Sequence, residues 1–191
     1  MSSLQDTRHT SVSDLARKIA FIFQNPDHQL FANSVWDEAL LAAMNFGIFN
    51  EQVRVATDAW LGRCGLQDRH ADHPYKLSFG EKRRLNLVST LNYEPQLILL
   101  DEILIGQDPQ NARFLLDALA ERVASGASVL LVNHSPVVTT AYTRRLLFFQ
   151  RGKLALDADV PDAFRKLEAR GLGHYCRSRY ERQASISEAE A

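Results

Sequence analysis

The sequence has few of the features that define several common classes of protein. It contains only two cysteines, and Cys64 and Cys176 stand without a CxxC or a Cys/His spacing. Neither a disulfide framework nor a zinc site is therefore expected, and a reducing, cytoplasmic setting is favoured. The longest wholly apolar stretches, such as residues 39–44, fall far short of the roughly 20 residues that a membrane-spanning helix requires. Residues 1–6 also lack the basic start and apolar run of a secretory signal.

An excess of charge of either sign is also absent. The chain has 22 Lys+Arg against 23 Asp+Glu and a formal net charge of -1. Because nucleic-acid binding depends on a basic face, no nucleic-acid partner is expected. A length of 191 residues with 46% hydrophobic residues is sufficient for one globular domain with a core.

The first half of the chain reads as a strand followed by helices. Residues 18–23 are a short β-rich apolar run that stops at Gln24, which predicts a strand and then a loop. Residues 33–73 have a helical pattern, with two predicted helices bounded by N-caps and terminating glycines. The first predicted helix begins after Ser34 and ends at Gly47, and the second begins after Asn50 and ends at Gly65.

The second half alternates strands and helices. Ser78 and Glu81 form an S-x-x-E capping box that begins a helix. Residues 97–100 and 128–132 are continuous apolar runs that predict two strands buried on both faces, with a helix over 109–123 between them. This order predicts a parallel βαβ unit. Residues 145–150 and 153–157 predict a β-hairpin, and residues 177–191 a polar, mobile end.

Polar residues follow each of the three predicted parallel strands, namely Gln24, the pair Asp101-Glu102, and His134. Parallel strands present their carboxyl ends at one edge of the sheet, where functional groups cluster. An Asp after a buried strand suits the Mg²⁺ of a nucleoside triphosphate, and an adjacent Glu suits a role as base toward water. Taken alone, the Asp-Glu pair has a purely structural role about as often as a functional one, and for a single His or Gln at such a position the structural role is the more common. Their order favours phosphoryl transfer to water.

The predicted helix start at Ser78 offers a second feature. With Gly80 in its first turn, this helix N-terminus exposes unpaired N–H groups and the positive end of the helix dipole, which together suit an anion. A plain capping box is the alternative explanation and is favoured when the motif is taken alone.

Several segments resemble those of one family. Residues 24–31 resemble the Q-loop of energy-coupling-factor and cobalt-type ABC transporter ATPases, whose pattern is close to FQNPDxQLF. Residues 77–81 resemble the ABC signature LSGGQ, continued by Arg84. Residues 97–102 resemble Walker B, residues 106–108 the D-loop, and His134 the switch histidine. The resemblance covers roughly residues 14–165 by motif order.

The resemblance implies an α/β fold: a P-loop NTPase-like ABC ATPase core with a parallel sheet and an inserted helical subdomain. It implies a single, partial ABC ATPase domain over residues 1–191. The expected parts are the Q-loop strand and loop (18–32), the helical subdomain (33–76), the signature, Walker B, D-loop and H-loop core (77–160), and a C-terminal helix with a mobile tail (161–191).

The resemblance also implies a division of roles, with ATP and Mg²⁺ as cofactors. Asp101 and Gln24 are expected at the metal, Glu102 as general base, and His134 at the γ-phosphate, with Gln24 linking metal, water and the membrane subunit. Nucleotide contacts are expected from Ser78, Gly80, Glu81 and Asp108, acting in trans. The implied partners are a second ABC ATPase subunit and a membrane transport subunit, reached through its coupling helices at the cytoplasmic face of the cell membrane.

The sequence departs from the family pattern in two ways. None of its nine glycines opens a Walker A pattern G-x-x-x-x-G-K-[ST], so the first strands and the phosphate-loop helix are expected to be missing, through a late start codon, a split gene or a shortened chain. Phe79, Glu81 and Ile103 also replace the usual Gly, Gln and Pro. Because the shortened sheet would expose an edge and apolar faces, the chain alone is expected to be marginally stable.

Two functions follow from these motifs. The first is an ATP-hydrolysing subunit that powers uptake of a vitamin or metal ion. The second is a non-catalytic pseudo-ATPase or regulatory module that completes a partner's ATP site. A DNA-repair or chromosome-organising ABC protein is disfavoured by the transporter-like Q-loop and the absence of coiled coils.

Overall fold

Three parallel strands organise the first part of the chain. A computed structural model describes residues 7–176, and these divide into two compact units that meet in sequence at Val132 and Asn133. In the first unit the strand order is β1 (Ile19–Ile22), β2 (Leu97–Asp101) and β3 (Ser128–Val132). Both neighbouring pairs are parallel, with Leu100 opposite Ile22 on one side and Leu131 on the other. The predicted βαβ unit is confirmed.

The α-helices of this unit are α1 (Val12–Ala16), α2 (Val35–Asn45), α3 (Glu51–Arg63), α4 (Phe79–Leu91) and α5 (Pro109–Ala124). The N-caps predicted for α2, α3 and α4 are confirmed, whereas α1 was not predicted. Ser34 and Asn50 cap α2 and α3 as predicted, each accepting a hydrogen bond from a backbone N–H of the first turn. Gly47 follows α2 with a φ of 67°, a left-handed conformation that favours glycine.

Two hydrophobic clusters hold the first unit together. One joins the sheet to α4 and α5 through residues such as Ile98, Leu87 and Leu115. The other joins α2, α3 and α4 through residues such as Ala39, Leu61 and Val88. Helix α4 contributes to both, and therefore connects the helical segment to the sheet.

The prediction that two strands are buried on both faces is wrong. In β2 only Ile98 and Leu100 are buried, while Leu97, Leu99 and Asp101 are half-buried. No residue of β3 is buried, and Leu130 and Val132 remain 43% and 46% exposed. The reason is that α4 and α5 pack on one face of the sheet, and that within residues 7–176 β3 has a neighbouring strand on one side only.

The second unit is built on the predicted hairpin. Strands β4 (Arg145–Gln150) and β5 (Lys153–Asp159) are antiparallel, with an irregularity between Phe148 and Phe149. Arg151 and Gly152 both have positive φ, as a tight hairpin turn of this length requires. Helices α6 (Pro136–Tyr142) and α7 (Val160–Ala169) complete the unit, whose core includes Leu156 and Leu167.

Two expectations fall at the limits of this description. The polar segment 177–191 lies outside the described residues. Between residues 7 and 176, no helix has the length and apolar character needed to cross a membrane.

Candidate nucleotide-hydrolysis site

The carboxyl edge of the parallel sheet brings together two residues that the sequence separates widely. Gln24 follows the end of β1, and Glu102 follows the end of β2. Gln24 Nε2 donates a hydrogen bond to Glu102 Oε2 at 2.8 Å, across 78 positions of sequence. The amide nitrogen of Gln24 is thereby engaged, and its amide oxygen is the group left for a metal or water.

The backbone of Glu102 adopts an uncommon conformation. Its φ is 49°, in the left-handed region that a non-glycine residue rarely adopts. Both polar groups of its peptide backbone are bonded: the N–H donates to the Val132 carbonyl at 3.1 Å, and the carbonyl accepts from Arg83 Nη1 at 3.0 Å. Such conformations cost about 1–3 kcal/mol and persist when neighbouring contacts hold them. The general-base candidate is therefore held by its surroundings rather than by its own preference.

The donor set at this edge fits Mg²⁺ bound together with a nucleotide. Asp101 ends β2 and is half-buried, and Gln24 supplies an amide oxygen. Mg²⁺ usually takes one or two protein carboxylates and fills its other positions with phosphate oxygens and water. Within residues 7–176 no group of three or more His, Cys, Asp or Glu could hold a metal by itself. Mg²⁺ held by Asp101 and Gln24 together with a nucleotide phosphate stays a prediction.

Arg83 connects the signature helix α4 to this edge. Its side chain is buried, and it donates one hydrogen bond to the Glu102 carbonyl and another, through Nη2, to the Gln24 carbonyl. Burial lowers the pKa of the Arg83 guanidinium below its usual range. The same residue thus contacts the backbone of both members of the Gln24–Glu102 pair.

Further contacts hold the Q-loop against α4. Asn86 Nδ2 donates to the Pro26 carbonyl at 3.0 Å, in a buried position. Lys82 Nζ lies 2.7 Å from Asp27 Oδ1. Together with Arg83, these side chains lie within a single turn or so of the same helix. The Q-loop is therefore held against α4 at Gln24, Pro26 and Asp27.

A buried carboxylate fixes the other end of the Q-loop. Glu38 Oε2 accepts hydrogen bonds from the N–H groups of Phe31 and Ala32, both at 2.7 Å. Burial raises the pKa of Glu38, and the two backbone hydrogen bonds partly oppose that rise. The backbone is fixed at this point while the Phe31 side chain itself remains 75% exposed.

The signature segment forms the predicted capping box. Ser78 Oγ accepts from the Glu81 N–H at 3.4 Å, and Glu81 Oε2 accepts from the Ser78 N–H at 2.7 Å. This backbone hydrogen bond from Ser78 is the main reason that the pKa of Glu81 is lowered. Ser78 is exposed and Gly80 half-buried. An anion binding at Ser78, Gly80 and Glu81 stays a prediction.

Phe79, the bulky departure in the signature, packs against the segment that follows Walker B. Its ring lies 4.8 Å from the Arg83 guanidinium carbon, measured to the ring centroid. A Cβ built on Gly106 would lie 3.9 Å from the same ring, and the φ of Gly106 is +74°. The aromatic ring therefore occupies space beside the backbone of the D-loop segment.

Asp108 has a local structural role. It is the N-cap of α5, and its side chain accepts from the Asn111 N–H at 2.9 Å. That bond is the leading cause of the lowered pKa of Asp108. Communication across a dimer through Asp108 stays a prediction.

His134 lies in the second unit, two residues beyond the end of β3. Its side chain is exposed. The expected contact of His134 with a γ-phosphate therefore stays a prediction.

Sequence reasoning missed Arg83, Glu38 and Asn86. Helical spacing contains a signal for the first of these, because Leu87 and Leu91 follow Arg83 at intervals of four and place it on the buried face of α4. Glu38 carries a comparable signal, because it follows the apolar Val35 by three positions and therefore shares the buried face of α2. Which backbone groups these side chains reach cannot be read from periodicity.

A sequence model described as "ABC transporter" matches residues 2–104 of the chain, which is more than half of it. The chain belongs to the ABC transporter family. Its relatives include the "Energy-coupling factor transporter ATP-binding protein EcfA2" of Lactobacillus delbrueckii subsp. bulgaricus, 32% identical over 96% of this chain and 64% of that protein. Another is a "Putative ABC transporter ATP-binding protein" of Methanosarcina acetivorans, 32% identical over 87% of this chain and 27% of that protein.

Solved structures of ABC proteins share this fold. An ATP-binding subunit of an ABC transporter superposes with a TM-score of 0.74 and 25% identity, over 84% of this chain and 65% of that one. The cbiO1 protein of Clostridium perfringens, described as part of the ABC transporter complex cbiONQ, gives a TM-score of 0.67 and 27% identity over 84% of this chain and 68% of that one. The α/β ABC ATPase fold predicted from the motifs is confirmed. The chain spans between 27% and 64% of the length of the relatives named above.

Proposed function

We propose that the chain is the ATP-binding and ATP-hydrolysing subunit, or part of it, of an energy-coupling-factor-type ABC importer. The observation that carries this proposal is the hydrogen bond between Gln24 and Glu102 at the carboxyl edge of the parallel sheet. It joins the Q-loop to the residue after Walker B, which are the two elements that a water-activating site requires. The names of the EcfA2 relatives and of the cbiO1 structure support the transporter class.

The chain's own residues would divide the reaction as follows. Glu102 accepts a proton from the attacking water, and Gln24 holds the Glu102 carboxylate and orients the same water through its amide oxygen. Asp101 and Gln24 would hold Mg²⁺, which supplies positive charge against the phosphate oxygens when it is bound. His134 would donate a hydrogen bond to the transferred group. Ser78, Gly80 and Glu81 would contact nucleotide held by a second ABC ATPase subunit, with Asp108 at the interface.

The proposed setting is the cytoplasmic face of the cell membrane. There the helical segment containing α2 and α3 would meet the coupling helices of a membrane transport subunit. The cargo would be a vitamin or a metal ion of the cobalt or nickel kind. Uptake of labelled cobalt and of labelled vitamins by cells carrying the natural protein or Glu102→Gln tests this; we expect uptake of one cargo to be lost in the variant.

ATP hydrolysis by the membrane complex containing this chain is the direct test of the function. Glu102→Gln keeps the shape of the side chain but removes the base, so we expect hydrolysis to fall by about 10²–10⁴-fold. Glu94→Gln is the matched control, because it changes an exposed glutamate paired with Arg122 at 3.1 Å. The control should leave hydrolysis unchanged. Equal rates for Glu102→Gln and the natural protein would contradict the proposal.

The second candidate function is a non-catalytic module that completes a partner's ATP site. It is supported by the signature segment, whose Ser78 is exposed at the N-terminus of α4. This candidate expects the purified chain to bind no ATP, yet to raise turnover by a partner that carries its own phosphate loop. A titration of the partner that shows no stimulation would exclude it.

A further inference from the structure

Arg83 stands apart from the other arginines of the described chain. It is 1% exposed, and its recorded hydrogen-bond acceptors are backbone carbonyls, those of Gln24 and Glu102. Its Nε is buried without a hydrogen-bond partner among the described residues. Burying a cation costs free energy unless its donors are satisfied, so a position of this kind requires an explanation.

The position of those carbonyls supplies the explanation. They belong to the two residues whose side chains meet at 2.8 Å, beyond the ends of two neighbouring strands of the sheet. A planar guanidinium directs its N–H groups in a fixed fork, so it can set the separation of two acceptors in a way that a flexible ammonium cannot. Its contact with the Glu102 carbonyl also helps to hold that residue at a φ of 49°.

We propose that Arg83 is a positioning residue that holds the backbones of Gln24 and Glu102 at the separation their side chains need to act on water together. This proposal rests on the function proposed above. Arg83 lies in the second turn of α4, which begins after the signature residue Ser78 and carries Gly80 in its first turn. A displacement of the signature helix therefore acts on the Gln24 and Glu102 carbonyls through the Arg83 guanidinium, and Arg83 couples the two parts of the site.

Amide hydrogen exchange in the full 191-residue chain, without nucleotide, tests the positioning directly. The informative amides are those of Phe23, bonded to Gln29 Oε1 at 3.0 Å, and Glu102, bonded to the Val132 carbonyl at 3.1 Å. We expect Arg83→Met to raise their exchange rates about tenfold or more relative to the amides of α3, because the two segments lose their shared anchor.

Arg84→Met is the matched control on the neighbouring residue. Arg84 Nε donates to the Cys64 carbonyl at 2.9 Å, and among the described residues Arg84 makes no hydrogen bond to Gln24 or Glu102. It should leave the Phe23 and Glu102 amides at the natural rates while it perturbs the contact with α3. If Arg83→Met does not fold, Arg83→Lys takes its place in the same comparison. Equal exchange at these amides in the natural chain and the Arg83 variant, or equal increases in both variants, would overturn the proposal.

A kinetic measurement separates positioning from general stability. In the membrane complex, Arg83→Lys should lower kcat for ATP hydrolysis about tenfold or more while KM for ATP stays within about twofold, since nucleotide contacts are unchanged. If Arg83→Lys and Arg84→Met lost hydrolysis equally because less of each protein is folded, the positioning role would be overturned. Absence of hydrolysis in the natural complex would instead defeat the proposed function, while the exchange result would still stand or fall by itself.

Discussion

The two faces of the three-stranded sheet have similar side chains and different surroundings. On one face, Ile22, Ile98 and Leu100 are buried beneath α4 and α5. On the other, Phe21 is 41% exposed and Leu130 is 43% exposed, in register with the half-buried Leu99 between them. The difference shows that apolar residues in a strand indicate only that a face of the sheet can be buried. Which face is buried depends on where the helices pack.

The central strand offers the sharpest test of this difference. Leu100 and Leu99 are adjacent and point to opposite faces, with Leu100 1% exposed. Leu100→Ala should lower the free energy of unfolding by about 2–5 kcal/mol, because it leaves a cavity under α4 and α5. Leu99→Ala should cost about 1 kcal/mol or less. Urea denaturation measures both, and equal losses would show that both faces are packed alike.

This pair also shows how much of the fold could be predicted. The elements, their caps and the parallel βαβ order follow from local signals such as the S-x-x-E box of Ser78 and Glu81. Burial on both faces does not follow for β3, because a run such as residues 128–132 has the same composition at a covered and at an uncovered position.

The candidate site divides in the same way. Gln24 and Glu102 were predictable as neighbours from the rule that parallel strands present their carboxyl ends together. The contact of Arg83 with their carbonyls was not, because no local pattern specifies which backbone groups a buried side chain reaches. The roles of His134 and Asp108 depend on groups beyond their local surroundings and stay predictions.

A buried hydrogen bond between the helices of the first unit should have the next largest effect on the free energy of unfolding. Asn92 Nδ2 donates to the Ala39 carbonyl at 2.8 Å in a buried position, joining α4 to α2. Asn92→Ala should lower the free energy of unfolding by about 1–3 kcal/mol, since the carbonyl loses its partner away from water. Ser89→Ala, which removes a half-buried hydroxyl bonded within the same helix, is the control and should cost about 0.5 kcal/mol or less. Equal costs would show that the tie between helices contributes little.

The uncovered face should affect association more than stability. Leu130→Thr combined with Val132→Thr makes the exposed side of β3 more polar while keeping residues that suit a strand. We expect the free energy of unfolding to change by about 0.5 kcal/mol or less, and the self-associated fraction to fall by roughly half or more. Sedimentation velocity over a range of concentrations provides the measurement. If the natural chain stayed monomeric at every concentration, the expectation that this face promotes self-association would be contradicted.

The smallest effect concerns pH. The covered face of the sheet is apolar at Ala20, Ile22, Ile98 and Leu100, so its packing does not depend on pH. Glu81, at the start of α4, has a lowered pKa and is therefore expected to make stability depend on pH. Because the pKa of Glu81 is lowered, its carboxylate stabilises the folded chain at pH values above the ordinary pKa of 4.5. This stabilisation is lost as the pH falls through the lower pKa of the folded state. Glu81→Gln should remove that dependence, about 0.3–1 kcal/mol, in thermal melts between pH 3 and 7. Identical slopes in the two proteins would show that the capping box is insensitive to charge.

A double-mutant cycle between Gln24 and Glu102 tests the central claim most directly, since the account requires these residues to act on water as one unit. ATP hydrolysis by the membrane complex would be measured for Gln24→Ala, Glu102→Gln and the double variant. Because the two side chains share one hydrogen bond at 2.8 Å, the double variant should be no more than about threefold slower than Glu102→Gln alone. Losses that multiply would mean that the two residues act independently, and would contradict the account.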